Sequence, residues 1–232
     1  MKKLLFSLLA FPCLVAGAQQ KIDVNSDVNI AAFFHSVGGE PVATAKFTRL
    51  VEGTPYYMNE WIKGTVITPG GKEYKDIPVK LDLYHNEVHY KDNNDKEFIA
   101  STPIREVVIG SNRFVHSSSF TGTSNVKEGW YQLLHSGTAN LYKYYKKELS
   151  ENKPFNSAIY EQTIKTTPIY YVQYNNALLE IKKLKDAPSI LATHKDALEK
   201  FLEKSDKKSS TMDERFSKLV EHYNSLLGSN KN

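Results

Sequence analysis

From residue 30 to residue 182 the apolar positions come in short runs rich in Val, Ile, Tyr and Phe, separated by Gly, Pro, Asn and Asp. That rhythm belongs to strands and tight turns. It predicts strands over 30–35, 42–50, 61–68, 72–75, 79–84, 87–91, 97–100, 104–109, 113–116, 130–135, 140–148, 159–165, 169–174 and 177–182. Gly38-Gly39, Pro69-Gly70-Gly71, His85-Asn86, Ser136-Gly137 and Asn175-Asn176 supply the turns, several at positions that tolerate positive φ. Residues 21–29 read as polar and loose. Residues 117–125, mostly Ser, Thr and Gly, read as a surface loop.

At Asp186 the period changes. Asp186 is a cap for a short helix with Pro188 in its first turn. Thr193 and Asp196 start a second helix running to about Lys204, and Thr211 with Glu214 forms a capping box for a third. Phe216, Leu219, Val220, Tyr223, Leu226 and Leu227 follow at helical spacing as one apolar stripe, which Gly228 ends. Such a stripe needs a buried partner, and the strands are the available one. The expected fold class is α+β, mainly antiparallel β: a β-meander, as a sandwich or a half-barrel, covered by two to three C-terminal helices.

The first residues have a different grammar. Lys2 and Lys3 precede an apolar run over 4–11, and Ala16-Gly17-Ala18 offers small residues where a signal peptidase cuts. Residues 1–18 are therefore expected to be a signal peptide, cleaved between Ala18 and Gln19. The run is too short to span a bilayer. Cys13 is preceded by Ala10-Phe11-Pro12, a poor match to a lipid-anchoring sequence. The expected organisation is a leader at 1–18, an antiparallel β region at 19–185 and a helical region at 186–232 packing on the sheet. The mature protein is expected in the periplasm or outside the cell, with no transmembrane segment.

Composition narrows the chemistry. Cys13 is the single cysteine, so the mature chain would have none, which excludes disulfide scaffolds and cysteine-bound zinc. A formal charge of +4, which loses Lys2 and Lys3 with the leader, gives no case for nucleic acid as a partner. Hydrophobic residues at 41% and charged residues at 24% suit a folded domain with an ordinary core.

Three constellations are candidates for function. On a continuous strand His85, Glu87 and His89 would share a face, and two imidazoles with a carboxylate are a ligand set for zinc or iron. The competing reading makes His85-Asn86 a hairpin tip with Leu83 and Val88 paired across it. Second, Ser117, Ser118, Ser119 and Ser136 lie near His116 or His135, but none sits in a nucleophile elbow. Third, Trp130, Tyr142, Tyr144, Tyr170 and Tyr174 belong to an aromatic-rich second set of strands. Alternation puts Tyr142 and Tyr144 on one face, and Tyr170 and Tyr174 together opposite Tyr171. Exposed, they would form a binding surface; buried, they are core and cross-strand pairs. No phosphate-cradling loop is present, and no cofactor is expected.

Several stretches occur together in a recognisable order: 39–51, Asn59-Glu60-Trp61-Ile62-Lys63-Gly64, 81–90, 100–106, Gly129-Trp130-Tyr131-Gln132-Leu133-Leu134, Leu141-Tyr142-Lys143 and Tyr223-Asn224-Ser225-Leu226. In these the chain resembles a group of secreted proteins of unknown function common in Bacteroidota, over most of its mature length. The resemblance implies bacterial export and an intact single-family protein, and carries no catalytic residue with it. The first expectation is a non-catalytic binding protein of the cell envelope, its partner an envelope protein, a glycan or a hydrophobic ligand. The alternatives are a metal-dependent hydrolase using His85, Glu87 and His89, or a carrier of lipid or another hydrophobic ligand.

Overall fold

The computed structural model describes residues 24–42, 47–121, 126–204 and 211–229. The strands form one large open sheet, nearly all antiparallel, with helices at the C-terminal end. In chain order the elements are α1 (Val24–Val37), β1 (Glu40–Pro41), β2 (Thr48–Glu52), β3 (Ile62–Ile67), β4 (Glu73–Asp82), β5 (Glu87–Lys91), β6 (Glu97–Ile99), β7 (Glu106–Ile109) and β8 (Asn112–His116). They continue with β9 (Trp130–His135), β10 (Asn140–Asn152), β11 (Tyr160–Tyr174), β12 (Ala177–Ile181), α2 (Ala187–Ile190), α3 (Lys195–Lys204) and α4 (Met212–Ser229). The order across the sheet is β1-β6-β5-β4-β3-β7-β8-β9-β10-β11-β12, and β2 pairs β11 in parallel. The signal-peptide reading of residues 1–18 and the cleavage between Ala18 and Gln19 lie outside the described residues.

Alternation gives the sheet two faces. On β10, Tyr145 joins a cluster built on α1, and Leu141 joins a cluster built on the C-terminal helices. Residues an even number apart share a face, so both clusters lie on the same side. Tyr142 and Tyr144 point the other way, to a third cluster with Phe120, Tyr131 and Tyr171. Between β3 and β7 the backbones come close: a Cβ at Gly64 would lie 2.7 Å from the Val108 carbonyl oxygen and 2.8 Å from a Val79 methyl. Glycine is the residue that leaves that space.

The strand expected at 30–35 is instead part of α1. Ile30, Phe33 and Val37 recur at helical spacing and are buried, with the Phe33 ring edge-on to Tyr74 and Tyr90. One half of the sheet needs a cover that the C-terminal helices do not reach, and α1 supplies it. Two other expected pairs of strands are each continuous. Residues 72–75 and 79–84 merge in β4, where Asp76 at φ 59° absorbs a register shift opposite Gly64 and Val66. Residues 159–165 and 169–174 merge in β11. Its one edge pairs β2 at residues 160–163 and β12 at 170–174, and Pro168 falls in the gap between them.

The C-terminal stripe docks as its spacing requires. Phe216, Leu219, Val220, Tyr223 and Leu227 are buried against Leu141, Val172 and Ile181, and Phe216 stacks on Tyr170 at 4.1 Å. The capping box is made reciprocally: Glu214 N–H donates to Thr211 Oγ1, and Thr211 N–H donates to Glu214 Oε2. Asp186 precedes α2 but makes no side-chain cap bond there. Asn224 clasps Ala139 by both main-chain groups, accepting its N–H at 2.7 Å and donating to its carbonyl at 2.9 Å. That bond pair sets the height of α4 on the sheet.

Candidate functional site

The turn between β4 and β5 spans residues 83–86, with Leu81 opposite Val88 and Asp82 opposite Glu87. The expected pairing of Leu83 with Val88 is therefore corrected by two positions. Asp82 is the reason. Its buried carboxylate accepts the N–H groups of Tyr84 and His85 through Oδ1, at 2.9 and 2.8 Å, and draws the chain into a wider turn. Asn86 closes it at φ 64°. His85 thus stands on the turn and not on the strand, with Nδ1 3.0 Å from Asp82 Oδ2.

Glu87 and His89 share a strand face as alternation predicted, and His89 Nε2 lies 3.1 Å from Glu87 Oε2. The ligand atoms of Asp82, His85 and Glu87 all lie within 4.8 Å of one another. Of the expected set, His85 and Glu87 meet; His89 lies outside that group and contacts only its Glu87 member. Asp82 takes the place given to His89. A sequence signal for Asp82 existed in the Asx-turn pattern, an aspartate two and three residues ahead of the N–H groups it accepts.

A strap over residues 53–61 runs beside this hairpin. Tyr57 N–H donates to the Leu81 carbonyl and Leu83 N–H to the Pro55 carbonyl. The Tyr56 ring stands edge-on to His89 at 5.5 Å, and burial together with the charges of Asp82, Glu97 and Glu87 pushes its phenol up. Lys147 of β10 reaches across to the carbonyls of Thr54 and Tyr56, and burial pulls its ammonium down against the opposing pull of Asp82. The Lys80 ammonium sits over the rings of Tyr56 and Trp61.

A pocket of about 370 Å³ adjoins the hairpin, lined in part by Asn86, Glu87, Thr102, His116, Ser118 and Trp130. The Trp130 indole N–H donates to the Asn86 carbonyl and ties the turn to β9. His116 and Ser118 meet here, Nδ1 to Oγ at 2.9 Å, but Ser118 N–H also donates to the same Nδ1. This pair caps a short 3₁₀ turn over Ser117–Ser119. Burial pulls the His116 imidazole down, against the charge of Glu128.

The aromatic surface expected at Trp130, Tyr142, Tyr144, Tyr170 and Tyr174 is not a surface. Trp130, Tyr142 and Tyr170 are 2, 6 and 7% exposed, and Tyr144 and Tyr174 are half-buried in packed clusters. Phe120 covers Tyr142, Phe216 covers Tyr170, and Tyr223 meets Tyr174.

Most of the exposed large apolar side chains lie elsewhere, at the far end of β10 and β11 and on β2, with Phe34, Met58 and Met212 apart from them. Phe155 in the turn is 96% exposed and Phe47, just ahead of β2, is 68% exposed; Leu50, Val51, Ile159 and Tyr160 join them. Tyr160 N–H donates to the Phe47 carbonyl, and β2 lies in register with residues 160–163. Phe47 and Tyr160 therefore lie side by side at this end of the sheet. A phenylalanine between Pro154 and Asn156, both turn formers, was the signal that sequence reasoning passed over.

No family model, curated protein or solved structure matches the chain. Among the described residues no helix is long and apolar enough to cross a membrane.

Proposed function

We propose that the chain is an exported, non-catalytic binding protein of a bacterial cell envelope, one of the secreted Bacteroidota group it resembles, and that it grips an extended segment of a partner protein at the apolar end of β10, β11 and β2. The observation that carries the reading is the concentration of exposed apolar side chains there, led by Phe155 and Phe47. Large apolar side chains exposed together at one end of a sheet mark a contact site. Around it lie charges of both signs, among them the Arg49–Glu161 ion pair, Glu151 and Lys153, the arrangement of an apolar centre inside a polar rim.

The strand geometry favours an extended partner. Among the described residues β2 pairs only with β11, so its other edge offers main-chain donors and acceptors to a further strand. Leu50 and Val51 are adjacent and both exposed, so each face of that edge presents an apolar anchor.

The test is site-specific photocrosslinking in the native cells, with the reactive residue at position 155 or 51 and a control at Asp95, an exposed residue of the β5–β6 turn. The expected result is one discrete adduct from the envelope fraction at 155 and 51 and none at 95. No adduct, or an adduct with the mass of two copies of this chain, overturns the reading.

A further inference from the structure

We propose that Asp82, His85 and Glu87 hold one first-row divalent metal ion, with zinc the best match. The inference is independent of the docking end, which lies on other elements. Its first basis is geometric. One ligand atom from each residue falls within 4.8 Å of the other two, and bonds near 2.1 Å to a shared ion require ligand atoms about 3–4 Å apart. Small side-chain rotations at an open turn cover the difference. Asp82 is already held by two N–H groups on Oδ1, which leaves Oδ2 turned to His85.

The second basis is charge. Asp82 and Glu87 are direct cross-strand partners, and like charges in that relation destabilise a sheet. Asp82 is also buried, its carboxylate held by two main-chain N–H groups and the His85 ring. Among the described residues neither carboxylate has a Lys or Arg ion-pair partner; the partner of Asp82 is His85 and that of Glu87 is His89. Both partners are imidazoles, not ammonium or guanidinium groups. The nearby ammonium groups act on the site only from a distance: Lys147 feels the Asp82 charge but bonds two carbonyls, and Lys80 lies over two rings. A divalent cation at this point meets both carboxylates at once.

The donor set selects the class of ion. Imidazole with two carboxylates suits zinc and its first-row neighbours, whereas calcium and magnesium take oxygen ligands. His85 has a side chain 57% exposed, so the ion reaches the site from solvent. His89 is a positioning residue, its Nε2 against the Glu87 carboxylate, which is the role of an outer partner that orients a ligand.

The test is titration of the tag-free, chelator-stripped full chain with zinc by calorimetry and with cobalt by visible absorption. One equivalent is expected to bind, with cobalt bands of a nitrogen–oxygen site. His85→Ala and Glu87→Gln are each expected to weaken zinc binding at least about tenfold, and His89→Gln by about 10–100-fold. Circular dichroism of each metal-free variant checks that the sheet is intact; His85 on the turn and Glu87 at the start of β5 are both reached by solvent, so those two variants keep the test valid if His89→Gln does not fold. Absence of stoichiometric binding by the native chain overturns the proposal, and so does binding that neither His85→Ala nor Glu87→Gln weakens.

Discussion

The β4–β5 and β10–β11 hairpins are built from the same sheet and end in opposite ways. The first stops after a four-residue turn tied down from the fold: Asp82 holds the turn, and Trp130 binds the Asn86 carbonyl from β9. The second continues to Asn152 and Tyr160 and ends on Phe155, fully in water. A buried carboxylate beneath one tip and an exposed phenylalanine on the other each reverse the ordinary distribution of side chains. The two proposals read these reversals as contacts with something outside the chain, a cation at one end and a partner segment at the other. In the middle of the sheet Phe114 and Tyr131 are fully buried, and the buried Gln132 amide is bonded to Asn112.

The largest effect on this comparison should come from alkali, because both hairpins are rooted in buried phenols. Burial pushes Tyr90 at the root of the short hairpin up to about 12, and pushes Tyr170 and Tyr171 at the root of the long one, with Tyr131 of β9 packed against Tyr171, further up. The folded state therefore keeps these protons above the ordinary value of 10.0, at which the unfolded chain loses them. Their contribution to stability is complete below about pH 10 and falls as pH rises through the folded values. Phenolate absorbance and circular dichroism followed together should change in one cooperative step above pH 10. Smooth phenol titration on an intact fold would break the claim that both roots are sealed.

Next in size is Trp130→Ala, which removes a core ring and the bond to the Asn86 carbonyl. It should cost about 3–5 kcal/mol by chemical denaturation. A loss under about 1 kcal/mol would mean the short hairpin does not depend on β9. The smallest effect belongs to Phe155→Ser. A side chain exposed on all sides should leave stability within about 0.5 kcal/mol, while abolishing the crosslink at position 51. A large loss of stability would show the long tip to be part of the fold and not a contact surface.

Much of the strand grammar was legible in the chain itself. The limits of β9 and β5, the paired asparagines at positive φ after β11, and the capping box and stripe of α4 all follow from local chemistry and period. The face assignments also held: Tyr142 lies with Tyr144, and Tyr170 opposite Tyr171. The candidate metal group was half legible. Glu87 and His89 share a face by alternation, but Asp82 enters because the turn it caps is wider than a two-residue tip.

What the amino-acid order determined by itself is therefore the local period: where strands run, which side chains share a face, and how the last helix begins. Tertiary structure alone decided which faces are covered. Whether Tyr142 and Tyr170 meet water depends on Phe120 and Phe216, residues distant from them in the chain, and whether 30–37 coils depends on a half-sheet that needed a cover. Alternation is a property of neighbouring peptide units, whereas burial is a property of what folds back upon them.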